Sequence, residues 1–266
     1  MNFVRDITLG QYFAADSVIH RLDPRTKLLS LLAVMTFLVI TIRPAVYALF
    51  VVLLILIILL ARLPGGLVFR NLRPFLWLFL ITFFLNLFHA EGRILWRMPV
   101  TGWEITGMGL QRAAVYSVRI ALLIVFAAVF TLTTSPMDIT DGLIRLLAPL
   151  KRLRVPVQEF ALMMTIAIRF IPLLLEEADR IQKAQMARGA RFEGSLLQRI
   201  RSLVPLVVPL FVSAFRKADD LALAMEARGY RIGKERTSYA VLAFRREDYL
   251  ALGVTALLGL LVWRLA

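Results

Sequence analysis

Residues Arg154 to Ala190 read RVPVQEFALMMTIAIRFIPLLLEEADRIQKAQMARGA. The opening part is apolar enough for a membrane helix, yet Glu159 and Arg169 interrupt it and the run passes without a break into a charged stretch. Phe160, Met163, Met164, Ala167, Phe170, Ile171 and Leu174 recur at three-and-four spacing. That pattern makes one apolar stripe rather than an all-round apolar surface. The segment therefore reads as a long amphipathic helix at or below a membrane face. Leu196 to Met225 repeats the habit, with Pro205 and Pro209 bending it. A shorter helix precedes both: Ser135 caps it, Pro136 takes its first position, and Ile139, Leu143, Leu146, Leu147 and Leu150 form its stripe.

The two long helices end alike. Ala178-Asp179 leads through Ile181 and Ala184 to Ala187-Arg188-Gly189 and then Arg191; Ala218-Asp219 leads through Leu221 and Ala224 to Ala227-Arg228-Gly229 and then Arg231. Glycine tolerates the left-handed conformation that follows many helix C-termini, so each copy reads as a glycine-stopped helix with an arginine at its tip. A cation there is also favoured by the helix dipole. The small side chains of Ala178, Ala184, Ala218 and Ala224 allow two helices to cross with close backbones, or a partner helix to approach. Two matching basic tips suggest two matching sockets on a partner.

The rest of the chain is a membrane sequence. Of 266 residues 59% are hydrophobic and the mean hydropathy is +0.75, outside the range of soluble domains. Apolar runs of bilayer scale cover Leu28–Ile42, Ala45–Ala61, Pro74–Phe88, Gly107–Thr134 and Tyr249–Leu265. A basic amphipathic bridge, Leu67–Arg73, precedes the third, and residues 89–106 read as a polar loop carrying Trp96 and Trp103. The expectation is an all-α membrane protein of about five transmembrane helices with a coupling domain of long crossed amphipathic helices. Its parts are 1–134, an N-terminal segment and four spans; 135–247, the coupling helices; and 248–266, the last span.

The net charge of +14 does not mark a nucleic-acid binder. Residues 138–248 hold 19 of the 32 Lys/Arg but also 13 of the 18 Asp/Glu, whereas a nucleic-acid footprint is a basic stripe with few acids. The excess instead follows the positive-inside rule. With the N-terminus inside, inner loops carry Arg21, Arg25, Lys27, Arg62, Arg70, Arg73 and the whole 138–248 region. Outer loops carry few cations, among them Arg43, Arg93 and Arg97. The reading is a multi-pass protein of the inner or plasma membrane, N-terminus cytoplasmic.

Catalytic chemistry finds little support. The chain has no cysteine and no phosphate-cradling GxxxxGK[ST] loop, and its two histidines, His20 and His89, lie far apart without a carboxylate cluster. No catalytic residue, metal site or cofactor is expected. Arg119 lies inside the fourth span, and an intramembrane charge is a functional candidate by default, with snorkelling or burial against the cytoplasmic helices as the alternative.

The two Ala-Arg-Gly tips, HRLDPRTKLL at His20–Leu29, the Thr133-Thr134-Ser135-Pro136 junction and Arg154–Ala190 together resemble the transmembrane T component of energy-coupling factor transporters. The resemblance spans essentially the whole chain. It implies a non-catalytic scaffold joining two ABC ATPase subunits to a substrate-binding S component that imports a vitamin or a cobalt or nickel ion. It further implies that Arg188 and Arg228 each enter a groove in one ATPase, with Ala187, Gly189, Ala227 and Gly229 shaping the tips and Arg191 and Arg231 trailing them. Two rivals are a conventional ABC importer permease with its own substrate path and a membrane scaffold unconnected with transport.

Overall fold

The computed structural model describes residues 12–88, 94–97, 104–154, 156–190, 196–231 and 244–265. The chain divides into two compact units. One is drawn from residues 10–143 and 242–266, the other chiefly from the chain between them.

The first unit begins with a short helix, α1 (Val18–Arg21), capped by the Ser17 hydroxyl. Asp23 then caps α2 (Pro24–Ile40), accepting from the Arg25 N–H, with Pro24 at the first helical position where its missing N–H costs nothing. Pro44 starts α3 (Pro44–Leu60) in the same way. The amphipathic bridge is α4 (Gly65–Leu72), which runs through a 3-10 turn at Arg73–Phe75 into α5 (Leu76–Phe88). The polar loop expected over 89–106 differs in its described part. Ile94–Arg97 (β1) and Glu104–Thr106 (β2) pair antiparallel, with a bulge between Ile94 and Trp96. Local alternation there is too short to be read from sequence, and the pairing supplies partners for backbone groups between two apolar helices. Thr106 caps α6 (Gly107–Thr133), and α7 (Pro136–Leu147) follows, with Ser135 Oγ accepting from the Asp138 N–H at 3.1 Å. After the second unit the chain returns as α10 (Arg246–Leu265).

Helix α6 is the centre of this unit. Its Leu122, Val125, Phe126, Val129 and Leu132 pack with Val34 and Leu38 of α2, Val46, Tyr47, Phe50 and Leu54 of α3, Val68 of α4 and Val262 of α10. Phe50 meets Phe126 edge to face, centroids 6.5 Å apart, the arrangement that aromatic quadrupoles favour. Gly259 lets α10 close on α2: a Cβ there would stand 2.6 Å from the Phe37 ring.

Two polar ties fix the antiparallel register of α2 and α6. At one end Lys27 Nζ donates to the carbonyls of Thr133 (3.0 Å) and His20 (3.1 Å). At the other, Arg119 donates to the carbonyl of Thr41 and, at 2.8 Å, to the Tyr47 hydroxyl. Tyr47 in turn donates to the same Thr41 carbonyl at 2.6 Å. The ties lie fourteen residues apart on both helices, about 21 Å of helix rise. Each cation meets a helix C-terminus, where unpaired carbonyls and the dipole favour it. Arg119 is thus held among protein groups inside the apolar unit, its guanidinium also 5.1 Å from the Tyr116 ring centroid.

Three helical stretches are long and apolar enough to cross a membrane: Gly65–Phe88, Gly107–Thr133 and Val157–Ala187; Pro44–Leu60 is apolar but shorter. The second unit contains a 3-10 stretch at Ala148–Leu153 and two long helices, α8 (Val157–Ala187) and α9 (Leu196–Ala227). Among the described residues α8 buries only Val157, and Phe160, Met163 and Ile171 of its stripe are exposed, as are Phe211 and Phe215 of α9.

Candidate functional site

The two Ala-Arg-Gly sequences close their helices in the same backbone geometry. Arg188 is the cap of α8, and its N–H bonds the Ala184 carbonyl at 3.2 Å; Arg228 bonds Ala224 at the same distance. Gly189 has φ +89° and Gly229 φ +74°, the left-handed region an L residue enters only with strain. The next amides turn back: Gly189 N–H to Met186 O (3.0 Å) with Ala190 N–H to Gln185 O (3.0 Å), and Gly229 N–H to Glu226 O (2.8 Å) with Tyr230 N–H to Met225 O (3.0 Å). This paired return is the Schellman closure, which satisfies carbonyls that a plain helix end leaves open.

Exposure follows the same register. Ala187, Arg188 and Gly189 are exposed between half-buried Gln185 and Ala190; Ala227, Arg228 and Gly229 are exposed between half-buried Met225 and Tyr230. Among the described residues neither guanidinium has a hydrogen bond or ion pair, and both arginines are exposed, each carrying a planar fork of donors. Arg231 is exposed as well, while Arg191 lies outside the described residues.

Helices α8 and α9 meet through two polar contacts, one of which originates in a proline. Pro209 has no N–H, so the carbonyl of Pro205 loses its helical partner. Gln185 Nε2 of α8 donates to that carbonyl at 3.3 Å. Farther along, Lys217 Nζ lies 3.9 Å from Glu177. The two contacts run in opposite senses along the helices and bracket the place where they pass. Of the four alanines read as crossing positions, Ala178 is half-buried, while Ala184, Ala218 and Ala224 are exposed in this chain.

The groups that hold the first unit together are Lys27, which the sequence marks only as an inner-loop cation, and Tyr47, Gly142 and Asp248, which it does not mark as site residues. The signal for Lys27 was a lysine in the first turn of α2, one residue before an apolar run begins. For Asp248 it was a carboxylate three residues into α10, the position that answers a helix cap. Its Oδ1 accepts from the Asp23 N–H and its Oδ2 from the Arg245 N–H, both at 2.7 Å.

Between α2, α3, α6 and α10 lies a cavity of about 290 Å³ lined by aliphatic and aromatic residues such as Val34, Leu53, Phe126 and Leu258, with Thr26 and Lys27 among its few polar groups. Among the described residues no three His, Cys, Asp or Glu side chains gather in a way that could hold a metal.

Comparison with known proteins places this architecture. The family model for cobalt transport proteins (CbiQ) matches residues 15–239. The chain is 48% identical over 257 residues to an energy-coupling factor transporter transmembrane protein EcfT of Thermosediminibacter oceani, covering 96% of each. It is 43% identical over 263 residues to the protein of that name from Acidaminococcus fermentans, covering 97% of each. With the Bacillus subtilis protein the figure is 43% over 242 residues, 90% of this chain and 91% of the relative. Matched at these identities over nearly its whole length, the chain belongs to the CbiQ cobalt transport protein family, among the transmembrane proteins of energy-coupling factor transporters.

Proposed function

We propose that this chain is the energy-coupling scaffold of an importer, with Arg188 and Arg228 docking two ABC ATPase subunits and the exposed apolar faces of α8 and α9 receiving a membrane-embedded S component that carries a vitamin or a cobalt or nickel ion. The reading rests on one observation above all: two helix ends with the same Schellman closure, each presenting an exposed arginine. Arginine stays charged and its planar fork matches a carboxylate with backbone carbonyls around it, as a groove on a protein partner offers. ATP-driven movement of two such grooves then acts on α8 and α9, which their Gln185–Pro205 and Glu177–Lys217 contacts hold together.

The proposed topology is five spans, N-terminus cytoplasmic, with residues 135–247 on the cytoplasmic side. It is supported by the distribution of Lys and Arg, which outweighs the apolarity of α8 alone. Phe160 and Met163 of α8 and Phe211 and Phe215 of α9 are exposed, and large exposed apolar side chains of this kind suit a protein or membrane contact. Methionine suits such a surface because its flexible thioether repacks against changing partners. The cavity of the first unit, nearly all apolar, offers few groups to orient a polar solute, which favours a separate substrate-binding subunit.

The deciding experiment is copurification of the ATPases with Arg188→Glu, Arg228→Glu and the double variant. Charge reversal in an acidic groove is strongly unfavourable. Each single variant is expected to weaken coupling with normal membrane insertion, and the double variant to release the ATPases. Wild-type ATPase yield and uptake in the double variant refute the docking role.

A further inference from the structure

The chain leaves the first unit after Leu143 and returns to it at Leu242, so everything between is inserted through two roots, α7 and the start of α10. Both roots are fastened to one two-residue turn. On the way out, Gly142 lies against Pro24: a Cβ at 142 would stand 2.9 Å from the Pro24 Cβ, 3.2 Å from its carbonyl carbon and 3.3 Å from the Leu28 side chain. On the way back, Asp248 joins the start of α10 to the Asp23 N–H with both carboxylate oxygens engaged and only 1% of the residue exposed. Beside it the Arg25 guanidinium stands 4.8 Å over the Phe244 ring, a second bond between the same two segments.

We propose that the Asp23–Pro24 turn is the joint at which motion of the inserted helices becomes motion of the membrane helices, with Gly142 and Asp248 as its two positioning residues. The inference rests on the scaffold reading above. Its physics is that of close packing: the proline ring and backbone at Pro24 have no rotamer to yield, so displacement of either root is passed to α2 rather than absorbed. Lys27, one turn on, carries it to the end of α6 through the Thr133 carbonyl. A charge-assisted bond from a buried carboxylate to a backbone N–H holds the second root without a flexible linkage. Coupling thus has a route that does not pass through the apolar stripes of α8 and α9.

The test uses the assembled transporter, ATPases and S component included, in vesicles, with ATP hydrolysis and substrate uptake measured on the same preparation. Two variants attack the joint independently. Asp248→Asn presents an amide where two N–H donors converge, and Gly142→Ala leaves Asp248 intact but forces α7 from Pro24 by a few tenths of an ångström. For both, the expected result is wild-type ATPase content, hydrolysis within twofold of wild type and uptake per ATP lowered at least tenfold. Unchanged uptake per ATP in both variants overturns the joint. So does a parallel fall of ATPase content, hydrolysis and uptake, since that is loss of structure rather than of coupling. Absence of ATPases from the wild-type preparation overturns the scaffold reading itself, and the joint with it.

Discussion

Gln185 of α8 donates its side-chain amide to the carbonyl of Pro205 in α9 at 3.3 Å, and that carbonyl is the one Pro209 deprives of its own helix partner. A break in one helix is completed by the other, which ties the bend of α9 to the place where α8 passes. Gln185→Leu is expected to remove a contact worth about 1 kcal/mol and to broaden the distance distribution between spin labels at positions 188 and 228. Pro209→Ala restores the helical N–H and makes the Gln185 bond redundant, so the pair of changes should couple rather than add. Strict additivity in that double-mutant cycle counts against the shared carbonyl.

The tips owe their shape to two glycines with positive φ. A Cβ at Gly189 or Gly229 would meet no atom within 4 Å, so the cost of alanine there is conformational, about 1–2 kcal/mol per site, rather than steric. Gly189→Ala and Gly229→Ala are expected to fray the last turn and weaken ATPase binding, with the arginine still present. Asn, which tolerates the left-handed region better, should recover much of the loss. Equal binding by the Ala and wild-type proteins separates the docking role from the closure.

Topology has a direct assay because the chain contains no cysteine. Single cysteines at Arg97 and Arg188 are expected to react with an impermeant maleimide from outside the cell at position 97 and to be protected at 188. Labelling of position 188 from outside contradicts a cytoplasmic site for the tips.

The N-terminal segment carries a pH-sensitive contact. The Ser17 hydroxyl lies 2.7 Å from His20 Nδ1, and His20 Nε2 lies 2.9 Å from the Phe13 carbonyl. A carbonyl only accepts, so Nε2 carries the hydrogen and Nδ1 accepts from Ser17. Burial lowers the histidine pKa below its usual value and outweighs the raising effect of the Phe13 carbonyl. A base whose folded pKa is depressed contributes stability that is fully present above its unfolded pKa of about 6.5 and is lost as pH falls from there through the lowered folded value. Hydrogen exchange at Phe13, whose N–H bonds the Leu132 carbonyl at 2.9 Å, should therefore lose protection as pH falls below about 6.5, after correction for intrinsic rates. His20→Gln should flatten the profile. A wild-type profile as flat as that of the variant contradicts the linkage.

Much of this protein was legible in one dimension. Proline at the first helical position announced α7, because a missing N–H is harmless there and disruptive elsewhere. The Gly189 and Gly229 stops were visible because only a residue without a Cβ takes positive φ without strain. Their in-register duplication marks both tips in the sequence itself. These features are local, set by a residue and its neighbours within one turn.

Tertiary structure decided what depends on residues distant in sequence. Arg119 was legible as a charge in an apolar helix, but only packing brought it to the Thr41 carbonyl and the Tyr47 hydroxyl, where the end of α2 needs donors. The Asp23 N–H meets the Asp248 carboxylate across 225 positions of chain. Gly142 sits mid-helix, where nothing local requires glycine, and is explained only by the proline it touches. Periodicity tells which face of a helix is apolar; which backbone groups are left open, and which distant side chain answers them, is settled only when helices lie side by side.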